Sequence, residues 1–312
     1  MTFEALNWQI GKEEWSELKL LNVRVQDDAY ELGVLTDKGV LTLSKAARRF
    51  GATAPLTIQE VIEQGDTGQD IVRQLVSQAI DDGDVSLFEH PDSIQYGPCV
   101  TSPEKIICVG TNYQAHAAES NLPTPTSPPL FSKFNNSLAG HGSIVQIPHQ
   151  TEQVDYEVEL VIVMGKTAKD VSEEEALSYV FGYATGNDLS ARDLQFRTSQ
   201  WLLGKTCDGF APIGPYVVTA DEVQNPNDLN LECRVNGQLR QSSNTKDMIF
   251  NCEFLVSYIS RHMTLRPGDV IFTGTPEGVI LGFPESERQW LSSGDEIVTS
   301  VEGLGRLRVV LE

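Results

Sequence analysis

Apolar and polar positions trade places through the first readable stretch of the chain, residues 20 to 43. The runs are Leu21-Asn22-Val23-Arg24-Val25, then Leu32-Gly33-Val34-Leu35, then Val40-Leu41-Thr42-Leu43. A period of two places alternate side chains on opposite faces of a strand. Asp37-Lys38-Gly39 supplies a turn between the last two runs, so the pattern predicts an antiparallel meander. Helical spacing follows over Ile58 to Ile62 and Ile71 to Ile80, with Asp66-Thr67-Gly68 as the expected break. Residues 81–104 are polar and turn-rich, with Pro91, Pro98 and Pro103. A boundary is expected around 95–103, closing a small N-terminal α+β accessory domain over residues 1–100.

Beyond it, Lys105-Ile106-Ile107-Cys108-Val109-Gly110 reads as a buried strand ending in glycine. Asn121 to Pro129 holds Pro123, Pro125, Pro128 and Pro129 and is expected to be an ordered, irregular loop. Tyr156 to Met164 has strong β composition. Ser172-Glu173-Glu174-Glu175 has the form of a capping box and should open a helix running to about Phe181. Short strands are expected near 182–187, 212–218, 229–235, 269–273 and 296–301, and a helix around 251–262. The fold class is α+β and β-dominated, with a rolled or barrel-like sheet over residues 101–312.

Charge narrows the partners. With 44 acidic and 23 basic residues the formal net charge is −21, and no basic stripe offers itself to a phosphate backbone, so no nucleic-acid partner is expected. No window of about 18 apolar residues exists, so no membrane partner is expected. The start, Met1-Thr2-Phe3-Glu4-Ala5-Leu6, lacks the basic and apolar regions of a secretory leader. Cys99, Cys108, Cys207, Cys233 and Cys252 form no C-x-x-C pair, which argues against zinc ribbons and redox motifs and for a reducing cytoplasm.

Carboxylates then appear where a strand should be apolar. In Asp155-Tyr156-Glu157-Val158-Glu159, followed by Leu160-Val161-Ile162-Val163-Met164, Glu157 and Glu159 point to one face, with Cα atoms ~6–7 Å apart. The following residues are apolar on both faces, as in a central strand, and two acids there repel unless a cation neutralises them. An all-oxygen site suits Mg²⁺, Mn²⁺ or Ca²⁺. Asp188, where a strand ends, is the candidate third ligand. Arg192 and Gln195 would share its helical face if a helix began there. Lys205, in an apolar and glycine-rich setting, could hold a developing enolate or carboxylate beside a metal. Thr275, in Gly274-Thr275-Pro276-Glu277-Gly278, offers a hydroxyl and amides to a substrate carboxylate. His116 with Glu119 three residues on makes a base with its orienting carboxylate. The plain alternatives are a solvated face for the glutamates, an Asx turn or N-cap for Asp188, ordinary ion pairs for Arg192 and His116, and an ordinary turn at Thr275. His90, His141, His149 and His262 are expected to be structural or exposed.

Taken together, five motifs over roughly residues 103–312 resemble the fumarylacetoacetate hydrolase family. They are Gly110-Thr111-Asn112-Tyr113 with His116 and Glu119, Asp155 to Glu159, Asn187-Asp188-Leu189-Ser190-Ala191-Arg192-Asp193-Leu194-Gln195, Gly204-Lys205, and Gly268-Asp269 through Gly274-Thr275-Pro276-Glu277-Gly278-Val279. The resemblance implies a β-roll catalytic domain, usually a homodimer, with Mg²⁺ or Mn²⁺ on Glu157, Glu159 and Asp188. It implies a small anionic 2-oxo acid substrate. The first expectation is hydrolysis of a C–C bond in an acylpyruvate or fumarylacetoacetate-like β-diketo acid. There His116, oriented by Glu119, activates water, Lys205 and the metal hold the enolate, and Arg192, Gln195 and Thr275 position the substrate. Oxaloacetate decarboxylation or 2-hydroxyhepta-2,4-diene-1,7-dioate-type isomerisation on the same site is the alternative, and a catalytically inactive interaction protein the remaining one. The prolines of 121–129 would place the dyad on a lid. One departure stands out: many members continue as Gly-Val-Gly, whereas here Val279 is followed by Ile280-Leu281-Gly282, a side chain expected to reshape the pocket.

Overall fold

The computed structural model describes residues 18–26, 29–119 and 123–312. The leader reading of Met1 to Leu6 and the start of the expected 121–129 loop lie outside the described residues.

The predicted meander forms from Lys19–Gln26, Ala29–Thr36 and Gly39–Thr42, and it does not stand apart. Lys19 and Leu20 pair antiparallel with Val218 and Val217. The large mixed sheet therefore runs Phe88–Glu89, Gly39–Thr42, Ala29–Thr36, Lys19–Gln26, Ala211–Thr219, Val180–Asn187, Val158–Met164, Val270–Phe272, Ile106–Val109, Leu130–Lys133. Residues around the expected boundary are tied to the first strand. Gly97 N–H donates to Asn22 O, and the Asn22 side chain donates to Pro98 O and Cys99 O. A second, five-stranded sheet runs Gln238–Asn244, Asn230–Val235, Glu296–Val301, Arg306–Leu311, Ile144–Val145.

Val158–Met164 shows why the centre of the large sheet is apolar on both sides. Leu160, Ile162 and Met164 join one core with Tyr183, Cys233, Ile297, Val309 and the helix Cys252–His262. Val161 and Val163 join the other, with Leu20, Val34, Leu41, Ala184, Phe272 and the helices of residues 43–82. Two covered faces remove alternation as a signal.

Local expectations need two corrections. The helix break lies at Gly65, with φ of +58°, and Asp66–Asp82 is one helix that begins on the residues expected to interrupt it. Ser172 makes no side-chain cap; the helix is the single turn Glu173–Ala176, a 3-10 turn follows over Leu177–Tyr179, and the next strand begins at Val180. The buried Val180, Phe181 and Tyr183 are claimed by the sheet instead. The helix at 252–262 is capped by Asn251, whose side chain accepts from Phe254 N.

Candidate active site

The carboxylates are placed by backbone pairing. The antiparallel ladder between Val158–Met164 and Val180–Asn187 runs out at Val158 opposite Asn187. Just past that pair, Asp188 N–H donates to Glu157 O at 2.9 Å and Glu157 N–H donates to Asn187 Oδ1 at 3.0 Å. Glu157 thus precedes its strand rather than lying in it, yet it still meets Glu159. One oxygen from each of Glu157, Glu159 and Asp188 lies within 4.8 Å of the other two. All three residues are buried, at 5%, 1% and 0% exposure.

Buried cations surround them. Lys205 Nζ donates to Glu157 Oε2 at 2.7 Å and Asp188 Oδ2 at 2.8 Å. Lys133, which the sequence reading did not single out, lies with Nζ 2.5 Å from Asp188 Oδ1 and donates to Leu189 O and Phe210 O. Arg192 Nη2 sits 2.7 Å from Glu157 Oε1, and Arg192 Nε donates to Asp155 Oδ2 at 2.9 Å. The helix expected from Asp188 begins only at Arg192. Arg192 and Gln195 nevertheless meet, Nη1 donating to Oε1 at 2.9 Å. Asp155, also unassigned from sequence, accepts from Ile280 N and Leu281 N as well, which anchors the segment after Thr275 to Arg192. Ile280 itself is 4% exposed and packs into the larger core; it does not open onto the solvent.

Four buried carboxylates therefore face three buried cations. The imbalance falls on Glu159, which accepts from the backbone N–H of Gly274 at 2.7 Å. Burial, then Asp188, then Glu157 push the Glu159 carboxyl well above the usual carboxylate range. Glu157 goes the other way: burial alone would raise it, but Lys205, Arg192 and His116 hold it well below. Burial would lower the Lys205 ammonium, and Asp188 and Glu157 raise it instead. An all-oxygen donor set with an uncompensated negative charge suits a hard divalent cation. The residues present fit one, held by Glu157, Glu159 and Asp188.

Thr275 is engaged. Its hydroxyl donates to Val158 O at 2.9 Å and accepts from Gln241 Nε2 at 2.8 Å, while Gln241 Oε1 accepts from Val158 N–H at 3.0 Å. The Gln241 amide stands in for a strand beside Val158, where the ladder with Val270–Phe272 covers only residues 161–163. Sequence spacing gave no hint of Gln241, which comes from the five-stranded sheet. The dyad forms as expected: His116 Nδ1 and Glu119 Oε1 are 2.8 Å apart, and Glu119 Oε2 accepts from Gly278 N–H at 3.0 Å. His90, His149 and His262 are exposed, and His141 accepts from Arg308 N.

Three buried carboxylates able to hold a divalent cation, together with a His–Glu pair, at the ends of central strands of a large mixed sheet, are the chemistry of an enzyme rather than of a scaffold. The chain belongs to the fumarylacetoacetate hydrolase family: residues 105–312 match the family described as fumarylacetoacetate (FAA) hydrolase C-terminal. Among curated relatives, oxaloacetate tautomerase FAHD2A, mitochondrial, of Homo sapiens is 40% identical over 276 residues, covering 88% of this chain and 85% of that protein. Among solved structures, fumarylacetoacetate hydrolase from psychrophilic Exiguobacterium antarcticum superposes with a TM-score of 0.78 at 34% identity, covering 95% of this chain and 99% of its own. Fumarylpyruvate hydrolase from Pseudomonas aeruginosa, in complex with Mn²⁺ and pyruvate, superposes with a TM-score of 0.62 at 36% identity, covering 70% of this chain and 91% of its own. Relatives of this family are hydrolases, isomerases and tautomerases. No described helix is long and apolar enough to cross a membrane.

Proposed function

We propose that this enzyme interconverts the keto and enol forms of a small 2-oxo dicarboxylate of the oxaloacetate type, with Mg²⁺ or Mn²⁺ on Glu157, Glu159 and Asp188. The observation that carries this reading is the likeness to oxaloacetate tautomerase, which extends over 88% of the chain and so includes much of the N-terminal part. The bound cation supplies a Lewis acid for the 2-oxo and carboxylate oxygens. Glu119 holds the Nδ1 proton of His116, leaving Nε2 as the base. Nε2 takes a proton from the carbon next to the 2-oxo group; the C–H pair becomes the C=C bond and the carbonyl pair moves to oxygen. The imidazolium then returns the proton to that oxygen. Lys205 uses two of its three N–H donors on Glu157 and Asp188, which leaves one for the developing oxyanion. Arg192, Gln195 and the Thr275 loop are assigned to the substrate's carboxylate ends, the hydroxyl proton of Thr275 itself being held by Val158 O.

Cleavage of an acylpyruvate is the second reading. It is favoured by the likeness to fumarylpyruvate hydrolase with Mn²⁺ and pyruvate, and it needs the same base to deprotonate water instead of carbon. Loss of CO₂ from oxaloacetate would use the enolate-holding groups without the base. A homodimer and a reducing compartment complete the proposal. All five cysteines are free, which suits the cytoplasm; the human relative is named as mitochondrial.

The test is to offer oxaloacetate, acetylpyruvate and fumarylpyruvate to metal-free, Mg²⁺-loaded and Mn²⁺-loaded protein. Enol decay should accelerate with oxaloacetate and metal, and His116→Ala should slow it by about 10²–10⁴-fold. Acylpyruvate cleavage without any effect on oxaloacetate enol would overturn the first reading in favour of the second.

A further inference from the structure

We infer that Gly282 is a positioning residue: the space left by its missing side chain is the seat of the Glu119 carboxylate, and this seat aims His116. This rests on the reading of His116 and Glu119 as the acid–base pair. It adds that the pair is oriented from outside its own helix.

Glu119 ends the six-residue helix Gln114–Glu119. So short a helix does not hold its last side chain by itself. The carboxylate is fixed by three contacts: His116 Nδ1 on Oε1, Gly278 N–H on Oε2, and the Cα of Gly282 packed beneath it. A Cβ on Gly282 would lie 2.5 Å from Glu119 Cδ, 2.5 Å from Oε2 and 2.9 Å from Oε1. The carboxylate group as a whole fills that place.

Backbone conformation does not account for the glycine. Gly282 closes the 3-10 turn Ile280–Gly282, its N–H donates to Val279 O at 3.0 Å, and its φ is outside the left-handed region. Gly278 differs: its φ of +97° favours glycine on its own account. At 282 only space is at issue, so alanine adopts the same backbone and its nearest collision is with the Glu119 carboxylate.

The turn is itself braced from the metal side. Ile280 N–H and Leu281 N–H donate to Asp155, and Tyr156 Oη donates to Gly278 O at 3.0 Å. With its backbone held there, the turn cannot easily retreat from an added methyl. The mobile partner is the Glu119 side chain, and His116 moves with it.

The experiment compares Gly282→Ala, Glu119→Asp, the double variant and His116→Ala in the full chain. Three readouts are taken: kcat with oxaloacetate, Mn²⁺ affinity by calorimetry, and the hydrogen-bonded Nδ1–H proton signal of His116 by NMR. Gly282→Ala should keep its melting temperature and Mn²⁺ affinity, shift or lose the Nδ1–H signal, and lower kcat by about 10²-fold, the scale of an ångström's misplacement. Glu119→Asp withdraws the carboxylate by one methylene. Combined with Gly282→Ala it should recover the signal and be no slower than Glu119→Asp alone.

An unchanged Nδ1–H signal and kcat in Gly282→Ala, with His116→Ala inactive, would overturn the inference and leave the acid–base reading intact. Full activity in His116→Ala would overturn that reading, while the NMR signal would still report whether Gly282 seats Glu119. Simple addition of the two losses in the double variant also counts against the seat.

Discussion

Glu157, Glu159 and Asp188 sit buried where two neighbouring central strands of the large sheet meet, with Lys133, Lys205 and Arg192 packed against Glu157 and Asp188. His116 and Glu119 sit on a six-residue helix and meet the rest of the site through one N–H and the open space at a glycine. One half of the site is held by the core of the fold, the other by a turn. The difference suits the two tasks. Like charges must be kept together against their repulsion, which takes a rigid surround that offsets most of the charge. The base proposed to move a proton between carbon and oxygen needs only one carboxylate to fix its tautomer and angle.

The comparison predicts that damage to the two halves separates cleanly. In the carboxylate half the largest effect should come from Asp188→Asn, which removes a candidate ligand charge and leaves Lys133 and Lys205 poorly matched. Mn²⁺ binding should vanish in calorimetry and kcat should fall by about 10²–10³-fold. Retention of metal affinity would end the three-ligand assignment.

Next in size is Lys133→Met. Breaking a buried pair from one side strands a charge, at a cost of about 3–5 kcal/mol in chemical denaturation of the metal-free protein. A cation at 100 times its Kd should return about 2.7 kcal/mol. His116→Ala serves as the control from the other half, and its stability should change by less than about 1 kcal/mol. Equal destabilisation by the two would erase the distinction.

Gln241→Leu tests how far the rigid half extends. Its amide links Val158, between two ligands, to Thr275 and Pro276. Supporting groups of this kind are worth about 10–100-fold in metal affinity. The loss should appear in Mn²⁺ affinity with the His116 Nδ1–H signal unmoved.

The same contrast explains what could be read in the chain. The convergence of the candidate ligands and of the His116–Glu119 pair was legible because spacing of two or three residues already places side chains together, and because carboxylates interrupt an otherwise apolar strand. Lys133, Asp155, Gln241 and Gly282 were not. Their partners lie far away in sequence: Gln241 and Val158 are 83 residues apart, Asp155 and Ile280 125, Lys133 and Phe210 77. A buried lysine looks like any lysine until its carboxylate is known. Gly282 looks like any turn glycine until a neighbouring side chain is seen in its place. The central strands were legible as buried from runs such as Leu160 to Met164. The order in which the sheet adds the first three strands was not, since it depends on the contact of Leu20 with Val217. The break before Asp66 and the failed cap at Ser172 are errors of one kind, in which local signals were outvoted by tertiary packing.

The smallest expected effect probes the joint between the two halves. Tyr156 stands between Asp155 and Glu157 in sequence, beside the ligands, but its hydroxyl reaches Gly278 O at 3.0 Å, on the turn that seats Glu119. By position it belongs to the metal centre and by contact to the dyad. Tyr156→Phe removes one hydrogen bond, worth about 1 kcal/mol, or roughly fivefold in a rate if it all reaches the transition state. The ring stays in the core and no charge is uncovered. The expected result is a kcat lowered a few-fold with Mn²⁺ affinity unchanged, because the turn loosens while the ligands keep their backbone pairing. Weakened metal binding at constant kcat would show that the turn supports the ligands rather than the base, and the two halves would have to be treated as one unit.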